Sequence, residues 1–308
     1  MTPGAQGSAG LFSISIDLDG LGCYAAIHGQ DPRALSEAAL RAVPVTAVER
    51  FCALLAGPGL RGTLFAIGQE LELPGAAGAL RTAAGAGHEI GSHSFAHDYA
   101  LSRLPQASIE ADLGRAEEAI AAATGQRPRG FRAPGYTLSP ALLAALRARG
   151  YAYDSSLLPS APYYLAKVAA IGWHALRGRR SVSILGGVGQ LFGRRGAHLR
   201  AGVRELPIST LPLVRAPLIG TVVAGVPEGL AARLAGWSFA GGHLNLELHG
   251  VDLLDQTDGV PPLLAAVQPG LRVKAADKLR RLGALLAALR VRAEGCTLEE
   301  AARRLLPA

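Results

Sequence analysis

Apolar and polar positions along the chain follow two alternating periods. "LFSISIDLDG" (11–20) alternates apolar and small residues, is rich in β-branched isoleucine, and ends in acidic residues and glycine. It predicts a buried first strand that carries Asp17 and Asp19 to its C-terminal end. "VTAVERFCALLAG" (45–57) predicts a helix stopping at Gly57, "GTLFAIG" (62–68) a second strand, and "HEIGSHS" (88–94) a third strand running into a loop. The three-to-four spacing of apolar positions over 104–125 predicts a helix closed by Gly125, and "RGFRAPGY" (129–136) a strand followed by a Pro/Gly turn. Over 139–150 the helix punctuation is complete: Ser139 caps, Pro140 occupies the first turn and Gly150 ends it. Further strands are predicted at 151–156, 204–210 and 243–250, and a long helix at 273–290. Thr297, with Glu300 three residues on, predicts a last helix opened by a capping box.

Strands that alternate with helices imply a mainly parallel sheet or barrel, in which active residues gather at the C-terminal strand ends. Asp17, Asp19, His93, His97, Arg132, Asp154 and His249 all lie at or just beyond predicted strand ends. No internal repeat and no Gly-rich phosphate loop is present, so a nucleotide site is not expected.

Composition narrows the class. The chain has 308 residues, 49% of them hydrophobic and 39 of them glycine, which fits a well-buried α/β core and excludes a disordered chain. Three scattered cysteines, Cys23, Cys52 and Cys296, suggest a reducing compartment without a disulfide framework. Residues 1–10 read as a flexible tail without the pattern of a signal peptide, and no apolar run reaches the roughly 18 residues of a spanning helix. A cytoplasmic location is expected, with residues 11–308 forming a single catalytic domain.

Charge changes the picture in one place. The formal net charge is +7. Residues 155–204 hold eight basic side chains and no Asp or Glu, and outside them 23 basic residues face 24 acidic ones. Local basicity implies a local partner. Tyr163, Tyr164 and Trp173 in the same segment are aromatic types favoured at membrane interfaces. The segment over 160–204 is therefore expected to dock reversibly on an anionic membrane surface, the inner face for a cytoplasmic chain. A helical lid over the barrel with a solvated basic face is the competing explanation. No nucleic-acid module is present, and no nucleic-acid partner is expected.

The candidate chemistry centres on "HEIGSHSFAH" (88–97), where three of the eight histidines fall within ten positions. An i,i+4 histidine pair alone does not establish a metal site. One aspartate with two neutral imidazoles, however, is a ligand set for a divalent borderline ion, with positions open for water and substrate. Such an ion acidifies water and polarises a carbonyl, and hydrolysis further needs a base and an acid. Asp17 and Asp19 are taken as a splayed pair, one for the ion and one for the base, which requires the strand end to bend.

The order "SIDLDG", "TLFAIG", "HSFAH", "RAPGY", "YAYDSS", "LELHG" resembles the polysaccharide deacetylase family, carbohydrate esterase family 4, over roughly residues 11–155 and 204–302. The resemblance implies a distorted, incomplete (β/α) barrel, here with a basic, apolar insertion at 157–203. It implies that Asp19, His93 and His97 hold a divalent metal, zinc most commonly, with cobalt, nickel or manganese as substitutes. Asp17 would be the base, Arg132 its ion-pair partner, and His249 the acid that protonates the departing amine, tuned or oriented by Asp154. The backbone N–H of Tyr136 would help to stabilise the oxyanion. Asp17-Leu18-Asp19 departs from the adjacent aspartates of many members, and the fourth motif lacks the usual tryptophan.

Of the other polar residues, Ser94 is expected to be a local hydrogen-bonder, His88 structural, and Asp252 and Asp255 caps. His28, in the loop after the first motif, is a candidate substrate contact. The implied activity is removal of an N-acyl group, acetyl in the first instance, from an amino sugar carried on a lipid or in a glycan. A deformylase or cyclic-amide hydrolase of the same fold is one rival, and a catalytically silent carbohydrate-binding homologue the other. Oligomeric state is not legible.

Overall fold

The computed structural model describes residues 10–176 and 190–307. Nine strands form one sheet: β1 (Gly10–Asp17), β2 (Thr63–Ala66), β3 (Glu89–Ser92), β4 (Gly130–Phe131), β5 (Tyr153–Asp154), β6 (His198–Arg200), β7 (Val203–Glu205), β8 (His243–His249) and β9 (Ala293–Gly295). Their order is β6-β7-β5-β4-β3-β2-β1-β8, with β9 also pairing β1. Every pairing is parallel except the β6–β7 hairpin. The sheet is the expected mixed α/β, incomplete (β/α) barrel, with its missing closure between the β6 and β8 edges. The segment after β7 partly bridges that gap. Leu206 N–H donates to the Asp154 carbonyl and Ser209 N–H to the Asn245 carbonyl, so chain leaving β5's side reaches β8.

Two faces of the central strands have opposite chemistry. Phe12, Ile14 and Ile16 of β1 and Leu244, Leu246 and Leu248 of β8 join one apolar cluster with Phe51, Leu55, Leu282 and Leu286 of the surrounding helices. The alternate residues point into the barrel: Ser13, Ser15 and Asp17 stand opposite Asn245, Glu247 and His249 in the β1–β8 register. Alternation along a strand thus sends its apolar face to the helices and a polar row to the barrel axis.

Most predicted elements appear, with tighter bounds. The helix Gln106–Thr124 ends at Gly125 with φ 77°, and Ser139 Oγ accepts from Leu142 N–H at 3.1 Å to open Pro140–Ala148. Thr297 and Glu300 close a capping box at the last helix. The strand expected at 204–210 is only three residues long, because Leu206 and Ser209 bond in turn to β5 and β8 rather than staying in one ladder. Gly10 lies in β1, so the strand takes in the last position of the expected tail, and residues 1–9 of that tail lie outside the described residues. The helix Ala76–Gly85 and the short strand β9 were not expected. Among the described residues no helix is long and apolar enough to cross a membrane.

Within the basic segment, Ala161–Leu176 is a helix whose first turn packs beside the 134–136 turn. Tyr163 meets Tyr136 edge-on with ring centroids 5.5 Å apart, and Lys167 Nζ donates to the Gly135 carbonyl at 3.2 Å. Arg195 donates to the Thr210 and Ser238 carbonyls, Arg204 to that of Leu306, and Arg200 approaches Glu205 at 4.0 Å. Arg177, Arg179, Arg180 and the side chain of Trp173 lie outside what the structure describes.

Candidate active site

Strand ends deliver the site. β1 stops at Asp17, Leu18 N–H still donates to the Phe65 carbonyl, and Asp19 follows as the chain turns at Gly20. The two carboxylates do not splay to opposite sides. Alternate residues of extended chain share a face, and His93 Nε2 lies 3.1 Å from Asp19 Oδ1 and 3.8 Å from Asp17 Oδ2. Gly20 is needed for a steric reason: a Cβ there would sit 2.1 Å from the Glu70 carboxylate.

The "HSFAH" loop leaves β3 and is clamped on several sides. Asp112, from the helix Gln106–Thr124, accepts from Phe95 N–H at 2.9 Å and Ala96 N–H at 3.2 Å, while Gly68 and Gln69 donate to the Ser94 and Phe95 carbonyls. Ser94 Oγ accepts from His97 N–H at 3.0 Å, the local role expected of it. Ser94 (φ 68°) and His97 (φ 52°) adopt the left-handed region despite carrying side chains, a strain that this clamping sustains. His97 Nε2 thereby comes within 3.4 Å of Asp19 Oδ1.

Asp19, His93 and His97 are all buried, and one ligand atom from each falls within 4.8 Å of the others. Asp19 Oδ1 and His97 Nε2 make no hydrogen bond of ordinary geometry. His93 Nδ1 lies 2.7 Å from the Arg132 carbonyl, which can only accept, so Nδ1 carries the proton and the Nε2 lone pair faces Asp19. Buried donor atoms left open towards one point fit a divalent ion with N/O ligands. In its absence burial disfavours both imidazolium ions, but the Asp19 carboxylate overrides this at His97, raising it to about 10, and with Asp17 raises His93. Burial pushes Asp19 upward too, yet the two imidazoles hold it well below the carboxylate range.

Beside the triad lies a second cluster. Arg132, just past β4, is fully buried. Its guanidinium donates to Asp17 Oδ1 at 2.6 Å and to the carbonyl and hydroxyl of Ser155 at 2.9 Å each, and it covers the Phe65 ring. Burial would raise Asp17, but Arg132, His93 and His249 outweigh it and keep the carboxylate ionised. His249 ends β8 with Nε2 3.2 Å from the Tyr136 hydroxyl. Burial opposes its charge, yet Glu247, Asp19 and Asp17 raise it to about 9.

Two expected roles are corrected. The Tyr136 amide donates to the Ala133 carbonyl at 3.0 Å within the 134–136 turn, so it is already committed, and the residue reaches the site through its hydroxyl instead. Asp154 does not orient His249. Its carboxylate bonds Ser156 Oγ and pairs with Glu205 on the far half of the sheet. His28 caps the helix Leu21–Ile27 with Nε2 3.2 Å from Gln268 Nε2, and its neighbours Ala26 and Pro32 line the cavity beside His97. His88 accepts from Gly62 N–H, and Asp252 and Asp255 cap the turns after β8, as expected. Glu247 and Glu70 are acidic site residues that went unnoticed. Glu247's signal was its position two before His249 on a strand, hence on the same face. Glu70 carries no comparable signal. A cavity of about 820 Å³ opens beside His97, lined by Gly20, Cys23, Ile67, Glu70 and Tyr99 among others.

The family model described as polysaccharide deacetylase matches residues 42–153, which include His93, His97 and Arg132. Over that stretch, about a third of the chain, the sequence is similar to the polysaccharide deacetylase family. A peptidoglycan deacetylase of Helicobacter pylori is 32% identical over 82 residues, 26% of this chain and 28% of that protein, so the match spans just over a quarter of the curated relative's length. The crystal structure of a putative polysaccharide deacetylase from Mycobacterium smegmatis superposes with a TM-score of 0.63 at 18% identity, covering 98% of this chain and 91% of that one. A CE4 family pseudoenzyme from Bacillus anthracis superposes at 0.52 and 10% identity, over 96% and 66% of the two chains. At these identities the structural likeness establishes the family's fold. What a member does rests on its site residues.

Proposed function

We propose that this protein is a polysaccharide deacetylase family member, a metal-dependent hydrolase that removes an N-acetyl group from an amino sugar. The observation that carries the reading is the meeting, around one buried point, of an open Asp19–His93–His97 triad, an Asp17 held ionised by Arg132, and a His249 held protonated. A divalent ion, zinc by the softness of its N/O set, would be held by Asp19, His93 and His97 and would supply Lewis acidity. Asp17 accepts the proton of the water that attacks the acyl carbon, and Arg132 keeps that carboxylate in place. His249 gives its proton to the sugar nitrogen as the carbon–nitrogen bond breaks, leaving acetate and a free amine. The Tyr136 hydroxyl positions the imidazole nitrogen.

Acetate release from N-acetylated oligosaccharides by the zinc-loaded protein tests the reading. Release that disappears in Asp17→Asn supports it. Formate release from the matching N-formylated sugars without acetate release from the N-acetylated ones would make the protein a deformylase, and metal binding without turnover of either would make it a silent homologue.

For the finer substrate class we infer a lipid-linked sugar, with the surface as support. Phe192, Leu213 and Val214 are 73%, 98% and 62% exposed, and Arg215 Nη1 ties their two loops together through the Gly193 carbonyl at 2.8 Å. An apolar tip joined to the basic segment 155–204, whose sequence holds no Asp or Glu, suits insertion among anionic lipids, which favours a lipid-linked amino sugar met at the inner face of the membrane. Flotation with phosphatidylglycerol vesicles tests this, and no association at physiological salt overturns it.

A further inference from the structure

Glu247 is a buried carboxyl that the mechanism above does not use. Its side chain is fully buried, and neither oxygen makes a hydrogen bond of ordinary geometry. It lies in the barrel's polar row one alternate position below His249, and a carboxylate oxygen falls within 4.8 Å of both the His249 imidazole and Asp17. Arg132 Nη1 is 3.6 Å from Oε1, but the guanidinium is already committed to Asp17 and twice to Ser155. One buried cation thus faces two buried carboxylates, and uncompensated buried charge is costly. His249 is the neighbouring group placed to carry a positive charge that balances the pair.

Resting on the acid role given to His249 above, we propose that Glu247 is the positioning residue that keeps His249 in its protonated, proton-donating form. This is the role that Asp154, held by Ser156 and Glu205, does not fill. The charged and titratable groups around the imidazole agree in sign. Asp17 and Asp19 face it from the end of β1, Asp252 from the following turn, and the neutral Tyr136 hydroxyl from across the site, with Glu247 contributing the largest electrostatic increment. Around Glu247 stand Asp17, Arg132 and His249. Burial and the Asp17 charge outweigh Arg132 and His249 and push its own carboxyl up to about 8. That is still below the about 9 of His249, so Glu247 is ionised over the range in which His249 loses its proton.

The test is the titration of the His249 ring nitrogens by NMR in the zinc-loaded protein, assigned with His249→Gln. This readout does not depend on turnover, so it stands even if the deacetylase reading fails. His249 should titrate well above an ordinary imidazole. In Glu247→Gln, which keeps the volume and removes the charge, its midpoint should fall by about one pH unit or more. Glu247→Asp, which keeps the charge, should retain most of the elevation even if the Gln variant does not fold, and Asp154→Asn should leave the midpoint in place. With turnover, the alkaline limb of kcat/KM should move down in step in Glu247→Gln. A midpoint unmoved by Glu247→Gln, lost in Glu247→Asp, or moved equally by Asp154→Asn overturns the assignment.

Discussion

Two neighbouring clusters divide the work of this protein in different ways. The Asp19–His93–His97 triad sits at strand ends and in a loop, with its donor atoms open towards one point. The Arg132–Asp17–Glu247 cluster sits inside the barrel, with its guanidinium bonded on every side to β1 and to the chain after β5. The first is kept short of partners so that it can bind something. The second is filled with partners because it also holds the barrel together. Losing a residue from one should cost function, and from the other both function and fold.

The sharpest way to break this contrast is Arg132→Leu. It strands two carboxylates in the barrel, and removing one partner of a buried ion pair costs about 3–5 kcal/mol. Urea denaturation should show that loss together with abolished turnover. An unchanged midpoint would mean that the interior cluster is not structural. His93→Ala should abolish zinc binding, seen by equilibrium dialysis, while the metal-free protein unfolds at nearly the wild-type urea concentration. A large loss of metal-free stability would erase the distinction between the clusters.

Charge state separates them next. Without metal, the protonated His97 pairs with Asp19 and its pKa is raised to about 10. A raised imidazole contributes stability that is complete below its unfolded pKa of about 6.5 and is lost as pH climbs towards 10. The metal-free protein should therefore lose thermal stability over that window. Zinc needs the neutral imidazole, so its binding should release protons and weaken as pH falls from about 10. Calorimetry in buffers of different ionisation enthalpy measures the release, and binding without proton release would contradict the pairing seen here. The smallest effect expected is that of Tyr136→Phe. Loss of one hydrogen bond to His249 is worth about 1 kcal/mol, a several-fold fall in kcat with metal affinity intact.

Much of the site could be read along the chain because its ligands are local. His93 and His97 are four apart, and the strands that carry Asp17, Arg132 and His249 each announce their ends with Gly or Pro. Glu247 was hidden in plain alternation. "HLNLELH" reads as a half-buried strand with one polar face, and nothing in it distinguishes a face turned to water from one turned to a barrel axis. The role given to Asp154 failed for the related reason that a strand-end position names a level in the barrel and not a neighbour. Glu205, not His249, lies beside it. The oxyanion role given to the Tyr136 amide failed because a Pro-Gly-Tyr turn spends its own N–H groups in closing.

Period and punctuation were enough to determine most strands and the caps, since each depends on contacts within a few positions, while the metal-ligand set was implied by the order of motifs that resembles the polysaccharide deacetylase family. Which polar face turns inward, which carboxylate meets which cation, and how many charges share one dry interior depend on contacts between residues 115 apart, as with Arg132 and Asp17. Those were decided only when the parallel sheet curled β8 against β1 and set Glu247 and His249 opposite Ser15 and Asp17.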